Sequence, residues 1–220
     1  MRELPARLSR RGNDRGMTLV ELLVAMVVLS IALAMVYGAV ILVMRMINES
    51  QQSSEAVSEA RLALMTIDRQ VRSGNVLFSP ENEPGPDNTC TAVTGDNSGT
   101  CMRVYTQANG NQKCVQWQVT DDGTGAGTSV LRMRSWETTW ETTGGVTDWG
   151  IAARGLVVGT PAAPFKLQGA LTPYDERLLQ VDIGVRDARS GQTIPLTSSL
   201  SGRNTSYGYG DGICTPVPPE

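Results

Sequence analysis

The sequence predicts an α+β fold, a long N-terminal helix packed on an antiparallel sheet, and three observations lead there. From Leu22 to Met44 the chain carries no charge, and at about 1.5 Å rise per residue such a helix crosses a hydrocarbon layer of roughly 30 Å. From Val57 to Val71 the apolar residues Val57, Ala60, Leu64, Ile67 and Val71 recur at steps of three and four, the spacing of one helical face. Beyond Gly74, short runs alternate apolar and polar residues, the period of strands covered on one side.

The segment before the apolar run has its own signal. Residues 1–16 carry Arg2, Arg7, Arg10, Arg11 and Arg15 against Glu3 and Asp14, and such an excess of arginine marks the flank that stays in the cytoplasm. A cleavable secretory signal has an apolar region of about 7 to 15 residues followed by a small-residue cut site. This run is longer and lacks that cut, and the scissile point lies in front of it, at Gly16-Met17. One acid, Glu21, interrupts the apolar stretch near its start. An ionised carboxylate in hydrocarbon costs roughly 3 kcal/mol on insertion scales, so Glu21 requires a compensating partner.

The octapeptide Gly16-Met17-Thr18-Leu19-Val20-Glu21-Leu22-Leu23 resembles the prepilin processing motif of type IV pilins and of the pseudopilins of type II secretion. The resemblance implies that prepilin peptidase cuts after Gly16 and that Met17, standing where Phe is commonest in that family, becomes the methylated N-terminus. Thr18 and Glu21 would then serve filament register and assembly. The amine freed on Met17 of a neighbouring subunit would pair with Glu21. A subunit in the wrong register would leave a buried charge unpaired, so the acid is expected to act as a register device. Arg61 to Ser73 is similar to the post-membrane helix of J-type minor pseudopilins and the minor pilins grouped with them. That similarity implies a place among the minor subunits at a filament tip.

The helix is expected to continue past the membrane. Glu55, Glu59, Arg61, Asp68, Arg69 and Arg72 occupy the faces that the Val57 to Val71 stripe leaves free. Asn48 to Ser54 is polar and is expected to fray or bend, and Ser73-Gly74-Asn75 supplies a stop, because glycine accepts the left-handed conformation that ends many helices. A helix from Thr18 to Ser73 is about 80 Å long, the pilin-like form of a spine whose outer half docks on a globular head. The expected divisions are a leader at 1–16, a membrane and filament-core helix at 17–44, its amphipathic continuation at 45–74, and a β-rich head at 75–220.

Within the head, Ser79 to Gly99 is rich in Pro, Gly, Asn and Asp and reads as a long surface loop. Cys101 to Gln107 and Lys113 to Val119 flank the Gly-containing connection 108–112 and read as a hairpin, with Val115, Trp117 and Val119 on one face. Val130 to Trp136 follows a turn at Asp121 to Gly125, and sets Leu131 and Met133 opposite Arg132 and Arg134. Leu178 to Arg186 alternates most clearly, with Leu179, Val181, Ile183 and Val185 on the covered side. Ile151 to Val158 and Gln192 to Leu200 are further strands, the latter placed at an edge by Pro195.

Cys90, Cys101, Cys114 and Cys214 all follow the membrane segment, and an even number outside the cytoplasm points to two disulfides. Four thiols allow three pairings; the preferred one joins Cys90 to Cys101 and Cys114 to Cys214. Zinc is the competing use, but the spacing has no C-x-x-C knuckles and the chain has no histidine.

The absence of histidine also removes Ser-His-Asp and Cys-His nucleophile pairs. The paired acids Asp121 with Asp122 and Glu137 with Glu141 read as solvated turn and loop residues. Gly123 to Gly127 lacks the lysine of a phosphate loop. Asp96-Asn97-Ser98 and the Asp211 neighbourhood hold calcium-type oxygens without a twelve-residue loop pattern. No enzyme activity, cofactor or metal site is expected. Removing residues 1–16 leaves 14 basic and 20 acidic side chains, a formal charge of −6, which argues against direct nucleic-acid binding.

The reading is therefore a non-enzymatic minor pilin or pseudopilin. It spans the cytoplasmic membrane once, N-terminus inside and head outside. Its partners are prepilin peptidase, then the helices of other pilin-type subunits in a surface filament or pseudopilus. The alternative is a single-pass membrane-anchored binding module for a surface ligand or DNA, using the loops around Trp136, Trp140 and Trp149.

Overall fold

The computed structural model describes residues 16–83, 89–159, 163–168, 177–187, 190–202, 209 and 212–219, and in it Leu19–Ser73 form one unbroken helix, α1. The polar stretch expected to fray or bend, Asn48 to Ser54, is helical throughout. It contains neither Gly nor Pro, and Glu49, Gln51 and Gln52 are good helix formers. The chain divides into two compact units at Ile47/Asn48.

In the first unit α1 is apolar on every side. It is the one helix among the described residues long and apolar enough to cross a membrane. Its side chains from Leu19 to Ile47 are exposed.

In the second unit α1 is amphipathic and covers a sheet. Ala60, Ala63, Ile67 and Val71 are buried, while Val57 and Leu64 of the expected stripe pack at its margins. The two alanines allow the helix backbone to approach the sheet closely. The helix ends at Ser73 and a strand, β1 (Gly74–Phe78), starts at the next residue. Gly74 is not in the left-handed conformation expected of it. It serves closeness instead, because a Cβ there would lie 2.6 Å from Val104 Cγ1 and 2.9 Å from the Gln70 carbonyl oxygen.

The remaining strands are β2 (Ala92–Val93), β3 (Ser98–Gly99), β4 (Cys101–Thr106), β5 (Lys113–Asp121), β6 (Ser129–Glu137), β7 (Gly150–Val157), β8 (Phe165–Gln168), β9 (Leu178–Arg186) and β10 (Thr193–Ser201). A short helix, α2 (Trp140–Thr143), follows β6. All strands join one antiparallel sheet in the order β1-β4-β5-β6-β7-β9-β8-β3-β2, with β10 on β9. Along one edge β9 pairs with β10, and its other edge is divided between β8 and β7. Pro195 lies on β10, whose partner among the described residues is β9 alone, as its missing N–H requires.

Two expectations are corrected here. The long loop at Ser79 to Gly99 contains a 3-10 turn at Pro80–Asn82 and the β2–β3 pair, elements too short to show a period; residues 84–88 lie outside the described ones. The polar faces of the central strands are not wet: β4 is buried at all six positions and β5 from Cys114 to Val119. One face, with Met102, Val104, Trp117 and Leu131, meets α1. The other holds a second cluster around Tyr105, Cys114, Trp136 and Cys214.

Candidate assembly segment and the covered face of the sheet

Thr18 starts α1. Its carbonyl accepts the Leu22 N–H at 3.2 Å and its Oγ1 accepts the Glu21 N–H at 3.3 Å, satisfying one of the amide donors that a helix leaves open at its start. Gly16 and Met17 therefore stay outside the helix and exposed, with their shared peptide bond just before the cap. Glu21 sits in the first turn, where a negative charge favours the helix dipole. The spacing Thr18-x-x-Glu21 is a capping-box pattern, a signal that reading Glu21 only as a membrane-buried acid passes over.

The four cysteines form two disulfides. Cys90 bonds to Cys101 with a Cα–Cα distance of 5.5 Å, and Cys114 on β5 bonds to Cys214 at 5.6 Å. Among the described residues no group of three or more Cys, Asp or Glu side chains is arranged to hold a metal ion.

Opposite α1, the sheet carries a row of polar side chains. Arg103, Gln116 and Arg134 are neighbours in register across β4, β5 and β6. Arg103 donates through Nη1 to the Cys214 carbonyl at 2.7 Å and stacks over Phe78 at 4.1 Å. Arg134 donates through Nε to Gln116 Oε1 at 3.0 Å, and through Nη1 and Nη2 to the carbonyls of Pro219 at 2.9 Å and Pro218 at 2.7 Å. Trp140 of α2 adds a bond from Nε1 to the Pro216 carbonyl at 3.0 Å. The segment 214–219 thus lies across the sheet as a strap, held through its carbonyls.

Among the described residues, Glu83 is the one acid buried in this layer. Its Oε1 lies 3.1 Å from Arg103 Nε, in contact but without hydrogen-bond alignment, and its Oε2 accepts from Gln116 Nε2 at 3.3 Å. Burial outweighs the neighbouring guanidinium and pushes the Glu83 carboxyl up to about 7.

The tryptophans are structural parts of this face. Trp136 is buried, the Arg132 and Arg134 guanidiniums lie 4.3 Å and 4.6 Å from the centre of the Trp149 ring, and Trp140 grips the strap. The acids singled out from sequence close turns. Asp96 is paired with Lys166 and accepts from Ser98, and the Lys166 ammonium chiefly holds its carboxyl below the usual range. Asp122 accepts from the Thr128 and Thr124 hydroxyls, which lower its carboxyl likewise. Asp121 accepts the Gly123 N–H at 2.7 Å. Glu137 and Glu141 are exposed on β6 and α2. Asp211 lies outside the described residues.

Residues 11–37 match the family model described as the prokaryotic N-terminal methylation motif. The match supports a precursor of the type IV pilin type and ends inside α1, leaving the head unassigned. No curated protein and no solved structure matches the chain significantly.

Proposed function

We propose that this chain is a minor pilin or pseudopilin subunit, cut by prepilin peptidase between Gly16 and Met17, methylated on Met17 and built at low copy into a filament tip. One observation carries the reading: the methylation-motif match at residues 11–37 runs into a helix whose apolar side chains, Leu19 to Ile47, are exposed. Before assembly lipid covers that surface, with the arginine-bearing residues 1–16 in the cytoplasm and the disulfide-bonded head outside. After assembly the helices of other pilin-type subunits cover it. Glu21 then meets the methylated amine of a neighbour, and the penalty for leaving a buried charge unpaired fixes the register.

The membrane-anchored binding module is disfavoured by the tryptophans on which it relied. Trp136 is buried, the Trp149 ring packs against the Arg132 and Arg134 guanidiniums, and Trp140 Nε1 is taken up by the Pro216 carbonyl, so all three rings are engaged within the head. An acidic head also suits nucleic acid poorly. The subunit works by assembly, with no catalytic residue assigned.

A photo-crosslinker at Leu33 in native membranes tests this reading. It should capture pilin-type subunits, and Glu21→Ala should strongly reduce that capture while leaving the protein in the membrane. Capture of lipid alone, or capture unaffected by Glu21→Ala, would contradict it.

A further inference from the structure

The hydrogen bonds of Thr18 decide which peptide bonds α1 leaves out. Its Oγ1 accepts the Glu21 N–H at 3.3 Å and its carbonyl accepts the Leu22 N–H at 3.2 Å, so Leu19 is the first helical residue and 16–18 precede it. The cap is the threonine's alone, because the Glu21 carboxylate makes no hydrogen bond among the described residues.

The sequence also offers an earlier start. Asn13 and Asp14 are of the types that cap helices best, and a helix capped at Asp14 would take Arg15, Gly16 and Met17 into its first turn. Two residues oppose that start. Thr18 lends its hydroxyl to the residue-21 amide only while its own backbone stays outside the helix, and a glycine at 16 disfavours a helix about fivefold relative to alanine. Among the described residues nothing requires glycine there: a Cβ on Gly16 would meet no atom within 4 Å, and its φ is not positive. A peptide recognised through its main chain is taken up as extended backbone, which a helical turn withholds because its carbonyls already bond along the axis.

We propose that Thr18 is a positioning residue for processing: by capping α1 it keeps the Gly16–Met17 peptide bond in non-helical chain, where prepilin peptidase reaches it. The inference rests on the processing reading above and adds to it the reason that residue 18 carries a hydroxyl. What position 18 requires is an oxygen that accepts from the residue-21 amide, whatever the shape of the side chain. Valine, with the shape of threonine, is then a poor substitute, and asparagine, with a different shape, is a good one.

The test treats full-length parent, Thr18→Val, Thr18→Ala, Thr18→Ser and Thr18→Asn precursors in detergent with purified prepilin peptidase, and follows loss of residues 1–16 by mass. Thr18→Ser and Thr18→Asn should be cut within about twofold of the parent rate, and Thr18→Val and Thr18→Ala about fivefold more slowly, the population lost with a cap. In the uncut chains the residue-18 amide should exchange its hydrogen more slowly in Thr18→Val than in the parent, because the longer helix gives that amide a carbonyl partner. Thr18→Val cut as fast as the parent, Thr18→Asn cut as slowly as Thr18→Val, or equal exchange at residue 18 in Thr18→Val and the parent overturns the proposal while leaving the processing reading intact. A parent that is not cut between Gly16 and Met17 removes that reading, and this inference with it.

Discussion

Trp117 on β5 donates its indole N–H to the side-chain oxygen of Gln70 on α1 at 2.6 Å, and the Gln70 amide in turn donates to Met133 Sδ on β6 at 3.4 Å, a polar link within a mostly apolar seam between helix and sheet. Trp117 is 1% exposed, so water does not replace Gln70. Gln70→Ala should therefore destabilise the head by about 1 to 3 kcal/mol, the penalty for an unsatisfied buried donor, read as a lower midpoint in urea. A smaller loss for Gln70→Glu, which keeps an acceptor, would confirm that the bond rather than side-chain volume is responsible.

The two disulfides should differ in worth. Cys114–Cys214 closes a loop of 100 residues and Cys90–Cys101 one of 11. In the chain-entropy picture, removing the first costs about 4 to 5 kcal/mol and the second about 2 to 3. Urea midpoints of the C114A/C214A and C90A/C101A double variants should fall in that order. The first should also free residues 215–219 to protease.

The head should lose stability as pH rises toward neutrality. Glu83 is raised from 4.5 to about 7 on folding, so between those values the folded state holds a proton that the unfolded chain releases. This contribution is fully present below about 4.5 and lost as pH climbs through about 7, a change of about 3 kcal/mol. Denaturation at pH 5 and at pH 8 should show the loss in the parent and a much flatter profile in Glu83→Gln. A parent more stable at pH 8 than at pH 5, with the trend abolished by Glu83→Gln, would reverse the assignment.

Gly74 joins α1 to β1 at a point with no room for a side chain. Gly74→Ala would place Cβ 2.6 Å from Val104 Cγ1 and 2.9 Å from a main-chain oxygen, and overpacking of this kind costs about 1 to 3 kcal/mol. Its thermal midpoint should drop, and shortening the opposing side chain with Val104→Ala should recover part of the loss.

Legibility in the sequence followed pattern length. The 55-residue helix and nine-residue strands such as β5, β6 and β9 show enough periods to be read directly. The strands β1 and β8, of five and four residues, are too short. Arg103, Gln116 and Arg134 look like a solvent face because polar residues at alternate positions usually are one. Their cover comes from a segment 84 to 111 residues further on, whose prolines and lack of period announce only a loop. At the other end, the match at residues 11–37 rests on a motif rather than a period. The capping role of Thr18 shows once the Glu21 N–H is seen to reach its hydroxyl.

The central claim is that the working molecule begins at a residue created by proteolysis. Intact-mass measurement of the protein extracted from its native membrane tests it most directly. The expected species lacks residues 1–16, carries one added methyl group on Met17 and retains two disulfides. A chain that keeps the arginine-bearing residues 1–16 would contradict it.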